Sequence, residues 1–257
     1  MESPAEGARL AAQAKASPSA QRLAWAGLCA CQRVADIGCG SGAVAEEIAD
    51  LVGPAGFVTL LDPSMARLHD ARARLGGRPN VEFRQGSLPS TGLADSTYDV
   101  VWSQFVLQYL PDTRPAVEEL VRITRRGGRV VVAEIDGAGA VWPAPPVVLE
   151  GMELFERGLR RHGFDLLVGR KLFHRFREAG LADIDIEVSP FNLVTGAASA
   201  TLLEDWRQRF DTLAPAVGPE FADERSYRDF ADAYLQVLAN PEALKYSIMV
   251  TTRGTRP

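Results

Sequence analysis

Short apolar runs and stretches of helical spacing take turns through the first half of the chain. "RVADI" (residues 33–37) reads as a buried strand, and "AVAEEIADLV" (43–52) places Val44, Ile48, Leu51 and Val52 at helical intervals. "GPAG" turns the chain, "FVTLLD" (57–62) is a second strand, and "PSMARLHDARARL" (63–75) is a second helix with Pro63 suited to its first turn. "NVEFRQG" (80–86) and "YDVVWS" (98–103) read as strands three and four. "RPAVEELVRITR" (114–125) is the next helix, glycines 127 and 128 close it, and "RVVVAEI" (129–135) is a fifth strand.

Strands separated by helices imply a parallel sheet covered on both faces. Right-handed crossovers bring every carboxyl end to one edge. Asp36, Asp62, Ser87, Ser103 and Glu134 all fall at or just past those ends, so a ligand site is expected there. The second half changes character. After a glycine- and proline-rich loop (136–146), helical stretches are expected near 147–162, 169–179, 198–213 and 223–239. "DIDIEV" (183–188) alternates as a half-buried strand should, and "YSIMVTTR" (246–253) is a final strand, which makes seven. Helices inserted between sheet strands should cap the carboxyl rim.

Composition narrows the classes. The 257 residues are 46% hydrophobic and 24% charged, enough for one core with a helical addition. A formal net charge of -5 opposes a polynucleotide partner, so no nucleic acid is expected. No apolar run approaches the roughly 20 residues of a membrane span, and the acidic N-terminus lacks the pattern of a secretory signal. Cys29, Cys31 and Cys39 have the wrong spacing for zinc, so no metal is expected. Reduced thiols point to the cytoplasm.

The first strand runs into "DIGCGSG". Gly38, Gly40 and Ala43 fit a dinucleotide turn, and Asp62 falls where a ribose-binding acid belongs. S-adenosylmethionine needs the same turn and the same acid. Asp36 separates the two cofactors. A pyrophosphate wants a bare helix N-terminus, and a buried carboxylate beside it would repel it strongly. An ammonium or sulfonium would be attracted. A third reading makes Asp36 only a cap for the following helix. The chain also lacks the Tyr-x-x-x-Lys pair of many short-chain dehydrogenases.

"VADIGCGSGAVAEEIADLVGPAGFVTLLDPSMARLHDAR" and "YDVVWSQFVLQYLPDTRPAVEELVRITRRGGRVVVAE" together resemble a class I S-adenosylmethionine-dependent methyltransferase. The resemblance is nearest to the small-molecule enzymes of the ubiquinone and menaquinone type and covers roughly residues 30–135. It implies a Rossmann-like α/β fold: a doubly wound, mostly parallel seven-stranded sheet with an antiparallel final strand and a helical cap. It divides the chain into an N-terminal helical lid (1–30) and a methyltransferase domain (31–257), with cap insertions near 137–168 and 196–240. By the same resemblance Asp36 faces the methionine ammonium, and Gly38, Cys39 and Gly40 let the backbone pass close. Asp62 accepts from both ribose hydroxyls, Met65 lies on the adenine face, Ser87 and Leu88 meet the adenine edge, and Ser103 offers its carbonyl near the methionine end. The family usually has aspartate where this chain has Ser87, a neutral and weaker acceptor.

No catalytic base stands out. His69 and His174 should be solvated; the candidates are His162 in the cap, Tyr109 after strand four and Glu134, which could equally cap a helix. "WSQF" stands where enzymes acting on bases or on protein glutamine often carry Asn-Pro-Pro-aromatic, which lowers those substrates. Gln13, Gln104, Trp142, Phe155, Trp206 and Phe210 are expected around the substrate. Leu203, Trp206, Phe210 and Leu213 have the spacing of a helix packed on the sheet. The function expected is methyl transfer to a small, partly apolar or aromatic metabolite in biosynthesis. The alternatives are a cofactor-binding, cyclase-like protein without methylation and, third, a nicotinamide oxidoreductase.

Overall fold

The computed structural model describes residues 19–257. Residues that alternate along β1 (Arg33–Ile37) divide between two packed faces, and this division organises the chain. Val34 belongs to one core, Ala35 and Ile37 to the other. The same alternation holds in β2 (Phe57–Asp62), β4 (Tyr98–Gln104) and β5 (Thr124–Ile135), all buried over most of their length. Helices α1 (Ser19–Trp25), α2 (Ala43–Val52) and α3 (Met65–Leu75) cover the first face. Helices α4 (Arg114–Ile123) and α6 (Leu172–Glu178) cover the second. Strands buried on both faces and joined by helices pair in parallel. With β3 (Val81–Gln85), β6 (Ala140–Trp142) and β8 (Leu244–Thr255), the order is β3-β2-β1-β4-β5-β8-β6. The first five are parallel; β8 runs antiparallel to β5. Strand β7 (Ala182–Thr195) pairs antiparallel with β8.

The sheet thus has eight strands, one more than the pattern predicts. The addition is β6, inside the glycine- and proline-rich segment, where three residues pair with Leu244–Tyr246. Three other strands are markedly longer than expected. β5 begins at Thr124, five residues before its predicted start, so the preceding helix ends at Ile123 and Gly127 and Gly128, expected to close it, lie within the strand. β7 continues through Pro190, which an edge strand tolerates because it needs no second ladder. β8 begins at Leu244, two residues before the predicted start. Pro63 precedes α3 instead of opening it: Ser64 is the cap, accepting from the Arg67 amide.

The remaining helices, α5 (Pro146–Arg161), α7 (Ala200–Val217) and α8 (Glu224–Ala239), form the cap. Their apolar faces do not lie on the sheet, contrary to the spacing argument for Trp206 and Phe210. They build a third core of their own, in which Phe155, Trp206, Phe210, Phe230 and Tyr234 are linked by ring contacts. Gly151 on α5 lets α8 approach, since a Cβ there would stand 2.1 Å from Phe230 Cδ2. The stretch predicted as helical at 169–179 divides into a 3-10 turn and α6, which packs on the sheet through Leu172 and Phe176 while Phe173 is exposed. Helix α1 is tied to the sheet by Arg129 and Arg253, which donate to the carbonyls of Ala26 and Trp25. The rest of the segment expected as a lid, including Gln13, lies outside the described residues.

Phe230 is fully buried at the centre of the cap. Phe230→Ala should cost about 3–5 kcal/mol of cap stability, read as a lowered midpoint in urea denaturation followed by tryptophan fluorescence. A change below 1 kcal/mol would show that the cap is not a packed unit.

Candidate functional site

Three adjoining turns at the carboxyl rim form the floor of a cavity of about 840 Å³, and the cap forms its roof. The first turn follows β1. Gly38 and Gly40 have φ of 76° and 53°, a region that glycine occupies without strain. A Cβ on Gly38 would meet Val106 Cγ2 at 2.2 Å, whereas one on Gly40 would project into open space. The turn is closed from below by the amides of Gly38 and Cys39, which donate to the Leu61 carbonyl at 2.7 and 3.1 Å. The second turn follows β2. Asp62 accepts from the Gly40 amide and the Ser64 amide, each at 2.9 Å, so its carboxylate is oriented from both sides. The third turn, after β4, is held by Glu134, whose Oε1 accepts from the amides of Val106 and Leu107 at 2.8 and 2.6 Å.

Asp36 is the exceptional group. In register it lies between Leu60 and Trp102, in phase with the first core. It is 2% exposed, and Oδ2 has no hydrogen-bond partner. Burial, with Asp62 nearby, pushes its carboxyl up to about 7. The N-cap of α2 is Gly42, so Asp36 does not cap that helix. A buried carboxylate oxygen without a protein donor, lining an open cavity, is suited to a donor or a cation from a ligand. Burial, with Asp36 and Asp62 adding to it, also holds the Cys39 thiol well above its ordinary range. It therefore stays neutral and weakly nucleophilic.

Residues 35–132 match a family described as a methyltransferase domain. This segment, which runs from β1 into β5, is similar to a methyltransferase domain. The chain is 32% identical over 124 residues to the demethylmenaquinone methyltransferase of Lactococcus lactis, covering 48% of this chain and 47% of that protein. It is 31% identical over 125 residues to the ubiquinone/menaquinone biosynthesis C-methyltransferase UbiE of Hahella chejuensis, covering 48% of each. The chain thus spans about half the length of the curated relatives it matches. The YcgJ protein of Bacillus subtilis has the same fold, with a TM-score of 0.61 and 18% identity over 93% of this chain and 98% of that one.

The fold brings Asp36, Gly38, Cys39, Gly40, Asp62, Ser87 and Leu88 to one cavity, with Gln104 and Tyr109 beside them and Phe155 and Trp206 above. Other expected residues stand elsewhere. Met65 opens α3 on the outer side, 53% exposed, and Ser64 and Arg67 line the cavity in its place. Ser103 is buried in phase with Val101, so the lining passes from Trp102 to Gln104. Trp142 lies on β6 and is 71% exposed. Phe210 is enclosed within the cap core.

Of the catalytic candidates, only Tyr109 lines the cavity, with its ring edge-on to Phe164 at 4.9 Å. The His162 imidazole bonds at Nδ1 to the Gly158 carbonyl at the end of α5. Glu134 is fully buried, does not reach the cavity, and is raised to about 8 by burial against the opposing backbone bonds of Leu107 and Val106. Its role is to position the third turn. Lys245, Ser247, Arg209, Asn192 and Gln108 line the cavity without having been expected. The signal for Lys245 and Ser247 was their shared phase with buried Met249 in β8, visible only once the strand's true start is known.

Asp36 has an ordinary value of 3.8 and a folded value of about 7. Without ligand, its ionisation therefore destabilises the fold progressively as pH rises from about 4 to about 7, and no further above that. Asp36→Asn removes this penalty. The expected gain is about 4 kcal/mol at pH 8 and none at pH 4, measured by urea denaturation. Equal effects at both pH values would contradict the assignment.

Proposed function

We propose that this protein transfers a methyl group from S-adenosylmethionine to a small, partly apolar or aromatic molecule held beneath the cap. The observation that carries this reading is the unpartnered Oδ2 of buried Asp36 beside the glycine turn. A cationic ligand satisfies that oxygen, whereas a pyrophosphate would meet like charge in a poorly solvated place. The family match over residues 35–132 supports the same reading.

In this reading Asp36 faces the ammonium of the cofactor and Gly38–Gly40 present backbone to it. Asp62 accepts the ribose hydroxyls, its two oxygens being oriented by the Ser64 and Gly40 amides. Ser87 and Leu88 meet the adenine, with the Ser87 hydroxyl in the place of a carboxylate. When bound, the cofactor supplies an activated methyl group on sulfur. The chain supplies position and dryness. Trp206, Phe155, Leu159 and Leu213 present an apolar wall from the cap, and Gln104, Gln108 and Tyr109 offer polar atoms on the facing turn. Alignment of the acceptor at contact distance can alone contribute several kcal/mol. Among the described residues, no histidine and no ionised carboxylate is aimed at the acceptor from the β4 turn, which suits an acceptor that is nucleophilic without prior deprotonation. The quinone chemistry in the names of the two relatives fits an apolar acceptor of this kind.

Binding is the direct test. Only the ionised form of Asp36 receives the cation, so the competent fraction falls below pH 7. Calorimetry should show S-adenosylmethionine binding about tenfold more weakly at pH 6 than at pH 8. Asp36→Asn should weaken binding at pH 8 by at least about tenfold and flatten the pH dependence. Heat with a nicotinamide dinucleotide, strengthened by Asp36→Asn, together with none from S-adenosylmethionine, would overturn the reading.

A further inference from the structure

The wall of the cavity opposite the glycine turn is built by the start of β8 and by α7. Lys245 is 2% exposed, and its sheet neighbours are Val194 on β7 and Val141 on β6. Its ammonium lies 4.9 Å from the centroid of the Trp206 ring. The Arg209 guanidinium carbon lies 4.8 Å from the same ring and is ion-paired with Asp205 at 2.7 Å. All four side chains line the cavity.

Among the described residues, Lys245 forms no ion pair. The one charge felt by it is the like charge of Arg209, which adds to burial in lowering it to about 8. The other elements packed around it offer no anion. Val141 and Val194 are apolar, Asn192 is neutral, and Tyr234 of α8, which meets the same indole at 4.8 Å, is held protonated by burial. Lys245 is thus mostly charged at neutral pH in a place where an unpaired charge is costly. Arg209 is paired with Asp205, whereas the charge on Lys245 faces the cavity without an anion, a single positive charge offered to the ligand.

We infer that the methyl acceptor carries a carboxylate on an apolar or aromatic body, and that Lys245 and Arg209 receive this carboxylate while the body lies against Trp206. A monoanion matches that single positive charge, whereas a dianionic phosphate would leave excess negative charge beside Asp205. The inference rests on the methyltransferase reading, because it names the acceptor class of the same cavity.

The test uses 2-naphthoate, 2-naphthamide and 2-naphthyl phosphate as probes of one shape and different charge. Each is titrated calorimetrically into the whole protein, with and without S-adenosylhomocysteine. Naphthoate should bind at least tenfold more tightly than the amide and more tightly than the phosphate, with proton uptake at pH 8 as Lys245 is driven to its charged form. Lys245→Met should erase the preference for naphthoate over the amide, and Lys245→Arg should retain it. No preference in the wild type, a preference surviving in Lys245→Met, or tighter binding of the phosphate would each overturn the inference. If Lys245→Met fails to fold, the wild-type series and Lys245→Arg decide alone. Failure of S-adenosylhomocysteine to bind would count against the methyltransferase reading instead, and the titrations without it would still judge the carboxylate site.

Discussion

The unpaired Oδ2 of Asp36, set at the floor of the cavity, is the constraint on which the site depends. Asp36 projects from an interior strand of the sheet, where the strands on either side present Leu60 and Trp102. Water is displaced from it, and the backbone at the glycine turn supplies no donor to Oδ2. The folded chain therefore carries an electrostatic deficit at the floor of its cavity. The surrounding devices keep that deficit in place. Asp62 is fixed by two amides, and Glu134 grips the third turn from beneath. A ligand with a cation resolves the deficit, and stability given up in the free protein returns as binding.

Parts of this arrangement are legible along the chain. β1, β2, β4 and β5 are buried on both faces, so their apolar runs stand out against any background. The polar residues closing those runs, Asp36 and Asp62, could be read as rim residues because parallel topology forces all carboxyl ends to one side. β6 could not be read, since Ala140–Trp142 takes its strand conformation from pairing with β8 and not from its own composition. Glu134 could be placed at the rim, but its side chain is spent on two amides that no local pattern announces.

The cap was legible as helices and not as packing. Helical spacing shows that Trp206 and Phe210 share a face, but not which partner that face meets. The structure gives Phe210 to the cap interior and leaves Trp206 at the boundary, where one side of the indole is core and the other is cavity. Lys245 escaped for a related reason. A lysine in a short strand reads as solvated unless the neighbouring positions are known to be inward, and Leu244 and Tyr246 on either side of it are the exposed ones. Inverted alternation of this kind, polar in and apolar out, marks a strand that borders a ligand and not a core.

The cap's independent aromatic core has a consequence for inheritance. Because α5, α7 and α8 pack on an aromatic core separate from the sheet's two cores, a change on their cavity-facing surface, outside that core, leaves the turns beneath untouched. Lineages sharing this floor can diversify the chemistry they accept by rewriting one layer, much as a lock is rekeyed without replacing the door.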